Sequence, residues 1–174
     1  MSAVPRAESL SPLLLPLGVG QLDGVLSIET QAYEFPWTRG NFIDSLAAGY
    51  WARALYASDV SAHGAPDGSI IGYIVAMPGV EEMHLLNVTV ASACQGRGHA
   101  RFMLDALYAH ARQERARRLW LEVRVSNTRA RMLYERLGYH LKGVRKGYYP
   151  APRGQREDAL VMGLELYEVT GELD

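Results

Sequence analysis

Residues 119–139, LWLEVRVSNTRARMLYERLGY, contain the pattern that decides the fold. Every second residue from 119 to 125 is aliphatic, which predicts a β-strand with one apolar face, and Glu122 lies on the other face. Beyond Asn127, a candidate helix N-cap, apolar side chains recur at helical spacing and include Tyr134. Gly138 follows where a left-handed residue ends a helix. The stretch is therefore a strand followed directly by a helix.

The rest of the chain continues this alternation of strands and helices. Strands are predicted over residues 50–57, 70–77, 83–90, 139–144 and 159–167, and helices from Leu22, after the N-cap Thr38 and over residues 98–114. Residues 58–69, rich in Gly, Ser, Asp and Pro, predict a solvated hairpin loop, and a Pro-, Gly- and Arg-rich loop is expected between the last two strands. We expect one mixed α/β domain over residues 13–174, after a flexible segment at residues 1–12.

The amino-acid composition limits which classes of protein this chain can belong to. The chain has 174 residues, of which 48% are hydrophobic, and a formal net charge of −1. These values fit a globular protein and exclude wholesale disorder. No apolar run approaches the ~18 residues of a membrane span, and the N-terminus lacks the pattern of a secretory signal. With one cysteine, Cys94, and no histidine spacing typical of a metal site, we expect a cytoplasmic protein with no membrane partner and no metal.

The charge is unevenly distributed along the chain. Residues 97–156 contain fifteen Lys and Arg against four acidic residues, whereas the rest of the chain holds three basic and fifteen acidic residues. The basic half is expected to meet an anion, although solvated helix faces account for many of these arginines. It lacks the interleaved aromatic residues of a stacking platform, so we expect no direct nucleic-acid binding.

Residues 95–100, QGRGHA, follow a predicted strand and begin a predicted helix. The two glycines allow a tight turn and a close approach of the backbone to a ligand, and free N–H groups at the helix start favour an anion such as a pyrophosphate. The third glycine of a dinucleotide fingerprint is missing, because Arg101 stands there, and no Gly-Lys-Ser/Thr of a P-loop follows. A plain glycine turn before a helix explains the same six residues.

Glu122 and Tyr134 are a candidate acid–base pair. A carboxylate on the polar face of a central strand is a candidate general base, directly or through water; alternatively it pairs with Arg124 or another arginine. Tyr134 is a candidate proton donor or, alternatively, a core tyrosine. Asn127 suits a helix cap and a ligand contact alike, and His84 either lines the site or lies half-buried at an edge.

The order of these segments resembles one family. Residues 88–104, VTVASACQGRGHARFML, are similar to the acetyl-CoA loop of the GCN-five-related N-acetyltransferases (GNAT), whose pattern Q/R-x-x-G-x-G/A is matched by Gln95, Gly98 and Ala100. Three further segments resemble the ribosomal-protein-alanine N-acetyltransferases of that family: residues 35–42 (FPWTRGNF), 119–139 and 145–162 (RKGYYPAPRGQREDALVM).

The resemblance implies a mixed, mostly antiparallel sheet, splayed at its centre, with helices on both faces and acetyl-CoA in the opening between two central strands. Backbone groups of Val88, Thr89 and Val90 would hold the pantetheine, and Asn127 would touch the cofactor further in. The pyrophosphate would be held at Gly96, Arg97, Gly98, His99, Ala100 and Arg101. Glu122 matches the general base of the family, and Tyr134, twelve residues later, its general acid.

The resemblance also implies a groove for the N-terminus of an acceptor protein. The residues expected to bind this substrate are Trp37, Glu82, Tyr148 and Tyr149. The implied acceptor is the N-terminal alanine of a small-subunit ribosomal protein, the eighteenth. Four acidic residues either attract a basic peptide tail or are simply solvated at the surface: Glu81, Glu82, Glu157 and Asp158.

Two other functions stay open at this point. One is an acetyltransferase of the same fold that acts on a small-molecule amine or a lysine side chain. The other is a CoA-binding module without catalysis. Glu122 and Tyr134 at the expected spacing argue against the module, and the Phe-Pro-Trp and Tyr-Tyr-Pro segments favour a protein N-terminus over a small amine.

Overall fold

The structure, a computed structural model, describes residues 12–57 and 70–167. The hairpin loop predicted over residues 58–69 lies outside the described residues, and so does the predicted flexible segment apart from Pro12. The strands are β1 Leu13–Pro16, β2 Trp51–Tyr56, β3 Ile70–Gly79, β4 Glu82–Val90, β5 Arg118–Arg124, β6 His140–Pro150 and β7 Arg156–Glu165. The α-helices are α1 Leu22–Ala32, α2 Arg39–Ala47, α3 His99–Gln113 and α4 Thr128–Arg136.

The strands form one mixed sheet in the order β1-β2-β3-β4-β5-β7-β6. Neighbouring strands are antiparallel except β4 and β5, which are parallel. A parallel pair needs a crossover connection, and α3 supplies it. The predicted mostly antiparallel α/β sheet is confirmed.

The sheet opens at its centre because the pairing of β4 with β5 is incomplete. The ladder runs only from Glu82 opposite Arg118 to Leu85 opposite Leu121. At the same point β4 carries a β-bulge, since Val75 of β3 pairs with Asn87 while the next residue pairs with Leu85. A bulge inserts an extra residue, bends its strand and increases the local twist. Beyond it, the two strands diverge.

Helices cover both faces of the sheet. One apolar cluster contains Met103 and Leu107 of α3 together with Tyr134 of α4, packed on the aliphatic face of β5. The other contains Leu22 of α1 and Phe42 of α2, packed on β2 and β3. The central strands are thus covered on both sides, as the sequence predicted.

The predicted helix caps are present. Thr38 Oγ1 accepts a hydrogen bond from the Asn41 amide at 3.3 Å at the start of α2. Asn127 Oδ1 accepts one from the Ala130 amide at 3.2 Å at the start of α4. These caps satisfy N–H groups that a helix start leaves without partners.

Two parts of the sheet differ from the sequence prediction. Strand β1 was not predicted; Leu13–Pro16 has no alternating pattern and is a strand because it pairs with the edge of β2. The loop expected between the last two strands is shorter, because β6 extends to Pro150 and β7 begins at Arg156. Asp158 holds this irregular end of β6 by accepting hydrogen bonds from the Gly147 amide (2.8 Å) and Lys146 Nζ (2.9 Å).

Within the described part of the chain, no helix combines the length and the apolar character needed to cross a membrane.

Replacing Gly72 by alanine should strain the junction of β3 and β4. A Cβ atom at this position would lie 2.9 Å from the Thr89 carbonyl oxygen and 3.2 Å from Met103 Cε. We expect a loss of about 1–3 kcal/mol, as is typical of overpacking, measured by urea unfolding. The matched control is Gly20→Ala, where a Cβ meets no atom within 4 Å and stability should change by less than about 0.5 kcal/mol. Equal stability of the two variants would contradict this tight approach of the strands.

Candidate active site

A cavity of about 320 Å³ lies where β4 and β5 diverge. Its walls come from α1 and the segment after it, from the bulged part of β4, from the end of β5, from the start of α4 and from the end of β6. The lining side chains that matter below are Glu29, Tyr33, Trp37, Asn87, Val88, Glu122, Arg124, Asn127, Tyr134, Tyr149 and Pro150. Six residues singled out in the sequence therefore meet at one place: Trp37, Val88, Glu122, Asn127, Tyr134 and Tyr149.

Glu122 is a buried carboxylate with two cationic or titratable neighbours. Only 7% of its side chain is exposed. Its Oε2 atom is hydrogen-bonded to Nε2 of His84, and its Oε1 atom lies 3.3 Å from Nε of Arg145. The arginine pairing considered from the sequence is made by Arg145 and not by Arg124, which is engaged by Glu157 instead.

These neighbours determine the protonation state of Glu122. Burial acts to raise the pKa of its carboxyl, but the hydrogen bond and charge of His84 and the charge of Arg145 outweigh burial and lower it. The group is therefore an ionised carboxylate at neutral pH. A deprotonated carboxylate at the cavity wall is able to accept a proton.

Tyr134 is a core residue that also lines the cavity. Its ring belongs to the core, 5.7 Å from the ring of Tyr139, and only 7% of the residue is exposed. Its side chain lines the cavity, and none of the hydrogen bonds found within residues 12–57 and 70–167 involves its hydroxyl. Burial raises the pKa of the phenol, so it carries its proton at neutral pH.

The glycine-rich segment lies at the start of α3. Gly96 and Gly98 have φ values of +76° and +81°, and a Cβ atom at either would meet no atom within 4 Å. Among the described residues, no side chain caps the N-terminus of α3, which is 15 residues long. Open backbone N–H groups at the positive end of a helix dipole suit a phosphate group.

Gln95 links the glycine-rich segment to the end of β4 and to α4. Its Nε2 atom donates to the Val90 carbonyl at 3.0 Å, and its Oε1 atom accepts from Arg129 Nη1 of α4 at 2.9 Å. Thr89 and Val90 are themselves buried, and their side chains do not line the cavity. Their predicted role rests on backbone groups alone.

Two of the residues expected to bind the acceptor lie outside the cavity. Glu82 is at the opposite end of β4, where its carboxylate accepts a hydrogen bond from Trp120 Nε1 at 2.9 Å. Tyr148 is 41% exposed and packs edge-on against Tyr149, with ring centres 5.0 Å apart. The role of Glu82 was implied by the family resemblance, yet the first residues of β4 lie in the closed part of the sheet. The position of Glu82 at this end of β4 argues against a role in binding the acceptor.

The acidic residues expected to attract a peptide tail bind within the chain. Glu157 accepts hydrogen bonds from Arg124 Nη1 (3.0 Å) and the Ser126 amide (2.8 Å), which lowers the pKa of its carboxyl. Asp158 is held by Lys146 and Gly147, and the pKa of its carboxyl is lowered as well. Glu81 Oε1 likewise lies 3.4 Å from Arg117 Nε, so these carboxylates have partners within the chain, and attraction of a basic tail stays a prediction.

Arg124 fixes the side of the cavity formed by the end of β6. Besides binding Glu157, its Nη1 atom donates to the Pro150 carbonyl at 2.9 Å, and its guanidinium lies 4.4 Å from the ring centre of Tyr149. The Tyr-Tyr-Pro and Glu-Asp segments noted in the sequence are thus held together by one arginine of β5. The sequence signalled the segments but not the arginine that joins them.

Glu29 is the lining residue that the sequence prediction missed. It occupies a helical position that is otherwise apolar in α1, and it is only 1% exposed. A carboxylate among apolar positions was the available signal.

Within the described residues, no group of three or more His, Cys, Asp and Glu side chains is placed to hold a metal ion.

Known proteins resemble this chain along most of its length. Residues 22–139 match the Acetyltransferase (GNAT) family. The chain is 34% identical to the ribosomal protein bS18-alanine N-acetyltransferase of Haemophilus ducreyi over 82% of this chain and 92% of that protein. It is 31% identical to the enzyme of the same name from Escherichia coli K12, over 83% and 91%. The crystal structure of the ribosomal-protein-S18-alanine N-acetyltransferase from Escherichia coli superposes with a TM-score of 0.79 at 29% identity, over 94% of this chain and 99% of that one.

Replacing Glu122 by glutamine should destabilise the chain more at neutral than at acid pH. Because the folded-state pKa of Glu122 lies below its ordinary value of 4.5, the carboxylate stabilises the fold above that value. The contribution is lost as the pH falls through the folded-state pKa. We expect the destabilisation in urea unfolding to be larger at pH 7 than at pH 3.5.

The control for this experiment is Glu135→Gln, at an exposed ion pair with Arg131. It should change the free energy of unfolding by less than about 0.5 kcal/mol at both pH values. A Glu122→Gln loss that is the same at both pH values would contradict a lowered pKa.

Proposed function

The chain belongs to the Acetyltransferase (GNAT) family, and from that premise we propose that it transfers the acetyl group of acetyl-CoA to the N-terminal α-amine of a protein. The relatives that carry the name ribosomal protein bS18-alanine N-acetyltransferase support the N-terminal alanine of that ribosomal protein as the acceptor. A ribosomal acceptor assigns the reaction to the cytoplasm.

One observation carries the proposal: an ionised carboxylate and a neutral phenol line the same cavity at the split between two strands. An α-amine has an ordinary pKa of about 7.7–8.0, so it is mostly protonated at neutral pH and must lose a proton before it attacks a thioester. Glu122 accepts that proton, directly or through a water molecule. Tyr134 donates its proton to the thiolate that leaves when the carbon–sulfur bond breaks.

Direct attack needs no covalent enzyme intermediate. Cys94 is the chain's one thiol, and it packs against the apolar cluster beneath α3 and α4. A nucleophilic cysteine requires a neighbouring base or cation that lowers its pKa. His84, which does not line the cavity, is bonded to Glu122 and not to Cys94.

The proposed binding of acetyl-CoA uses backbone groups on both sides of the split. Residues 86–90 of β4 have no ladder with β5, so Val88, Thr89 and Val90 offer one strand edge to the pantetheine. The amides at residues 96–101 suit the pyrophosphate, with Arg97 and Arg101 adding positive charge. Asn127 lies between these groups and Tyr134, on the cavity wall.

The acceptor is proposed to enter between Trp37 and Tyr149. Both line the cavity, on walls that belong to different parts of the chain. A small-molecule amine or a lysine side chain remains the alternative acceptor, and the names of the relatives favour the protein N-terminus.

Mass spectrometry of the reaction with short peptides tests this proposal. Peptides that differ only in their first residue are incubated with the enzyme and acetyl-CoA. We expect acetylation at the α-amine of the alanine peptide, with a kcat/KM at least tenfold above that of a peptide beginning with a large residue. A lysine-containing peptide with a blocked N-terminus is the control and should stay unmodified. Acetylation of the blocked peptide alone would overturn the proposal.

Replacing Gly98 by valine should weaken acetyl-CoA binding by at least tenfold. The side chain would stand where the backbone approaches a phosphate, at a φ of +81° that disfavours branched residues. Isothermal titration calorimetry measures the change. Gly154→Val is the matched control, because Gly154 also has a positive φ, +70°, and open space, but lies in the turn before β7. Equal affinities of the two variants for acetyl-CoA would show that residues 96–101 are not part of the binding site.

A further inference from the structure

Glu29 is a buried carboxylate on the cavity wall that the acid–base chemistry above does not use. It lies on α1 and is only 1% exposed. Burying an ionised carboxylate is costly unless hydrogen bonds compensate for the lost water. The partners of Glu29 therefore indicate what it does.

Three donors from three separate parts of the chain meet this carboxylate. The backbone amide of Trp37 donates to Oε1 at 2.7 Å. The hydroxyl of Tyr73 on β3 and Nδ2 of Asn87 on β4 donate to Oε2, the latter at 3.2 Å. Glu29 thus ties the segment after α1 to the strands behind it. Asn87 is the residue at the bulge of β4, where the opening of the sheet begins.

A second connection holds the other end of the same segment. Thr89 Oγ1 donates to Oδ1 of Asn87 at 2.9 Å, and the hydroxyl of Tyr33 bonds to Thr89 Oγ1 at 2.8 Å. Since Thr89 uses its proton toward Asn87, Tyr33 is the donor in the last bond. Residues 33–37, which we call the acceptor wall, are thereby anchored at both Tyr33 and Trp37, and both of these residues line the cavity.

An apolar residue in place of Glu29 would not anchor the acceptor wall. It would fit the packing of α1, whose neighbouring residues Val25 and Ile28 are also buried, but it would leave the Trp37 amide and the Asn87 amide group without an acceptor. A buried donor without a partner costs about 1–3 kcal/mol. The carboxylate therefore fixes the acceptor wall rather than the helix.

We propose that Glu29 is a positioning residue for the acceptor: it holds the acceptor wall against the bulge of β4, so that the incoming amine is aligned with Glu122. The inference rests on the proposed function. Glu29 acts through Trp37, Asn87 and Tyr33 and does not touch the reacting atoms.

Glu29→Gln tests the inference, because it keeps the shape and replaces one acceptor oxygen by a donor. The new NH₂ group must face either the Trp37 amide or the Tyr73–Asn87 pair. We expect kcat/KM for an alanine peptide to fall about tenfold through a higher KM, with the Kd for acetyl-CoA unchanged within twofold. Hydrogen exchange of a fragment covering residues 33–38 should become at least tenfold faster.

Ser45→Ala is the matched control. Ser45 is a buried polar residue of α2 whose hydroxyl donates to the Asn41 carbonyl at 2.8 Å within the same helix. Its loss should leave the peptide KM and the exchange of residues 33–38 unchanged. Thr89→Val is the second test variant, since it removes the Tyr33 connection and leaves Glu29 fully bonded; it should also speed exchange of the acceptor wall.

The outcomes separate this inference from the proposed function. A wild-type chain that acetylates no peptide N-terminus overturns the proposed function before any variant is made. An active wild type, together with unchanged peptide KM and exchange in Glu29→Gln, overturns the inference alone. If Glu29→Gln does not fold, unchanged exchange of residues 33–38 in Thr89→Val overturns it. Weaker acetyl-CoA binding at an unchanged peptide KM also counts against it.

Discussion

The parallel pairing of β4 with β5 ends after Leu85 and Leu121, and the functional part of the molecule depends on that interruption. Beyond the bulge of β4, Asn87 and Thr89 bond to Glu29 and Tyr33, and both Asn87 and Val88 line the opening. Unpaired backbone groups of a central strand are costly when they are buried, so such an opening persists only where a ligand or water meets them. The proposed pantetheine contact at residues 88–90 gives those groups a partner.

The walls of this opening are held by charged groups that are compensated inside the protein. Glu122 is held by His84 and Arg145, the end of β6 by Arg124, whose charge is paired with Glu157, and the acceptor wall by Glu29. Tyr134 differs from these groups, because its hydroxyl has no bond within the described residues. Its ring is instead held by packing in the core. The two reacting groups thus differ in kind: the carboxylate is fixed and ionised, and the phenol is fixed and neutral.

Much of the fold and part of the site follow from the sequence. The alternation over residues 119–125 and the helical spacing after Asn127 are local signals, and they were sufficient for β5, α4 and the positions of Glu122 and Tyr134. Strand β1 and the extended end of β6 were missed because they form through tertiary pairing, at the edge of β2 and through the side chain of Asp158. Glu82 lies at the closed end of β4, outside the cavity, and its sequence position does not indicate where the two strands separate. Glu29 and Arg124 act through partners more than seven residues away in the chain, which no local pattern reveals.

The central claim is that the cavity at the split performs acetyl transfer with Tyr134 as the proton donor. The most direct measurement is the kcat of Tyr134→Phe with acetyl-CoA and an alanine-starting peptide, taken together with its melting temperature. Because the ring and its packing are kept, the account predicts little change in melting temperature and a fall in kcat of at least tenfold, about 1.4 kcal/mol of barrier. Tyr139→Phe, a change at a second buried tyrosine that does not line the cavity, should leave kcat unchanged. A destabilised Tyr134→Phe variant with a normal kcat would contradict the account.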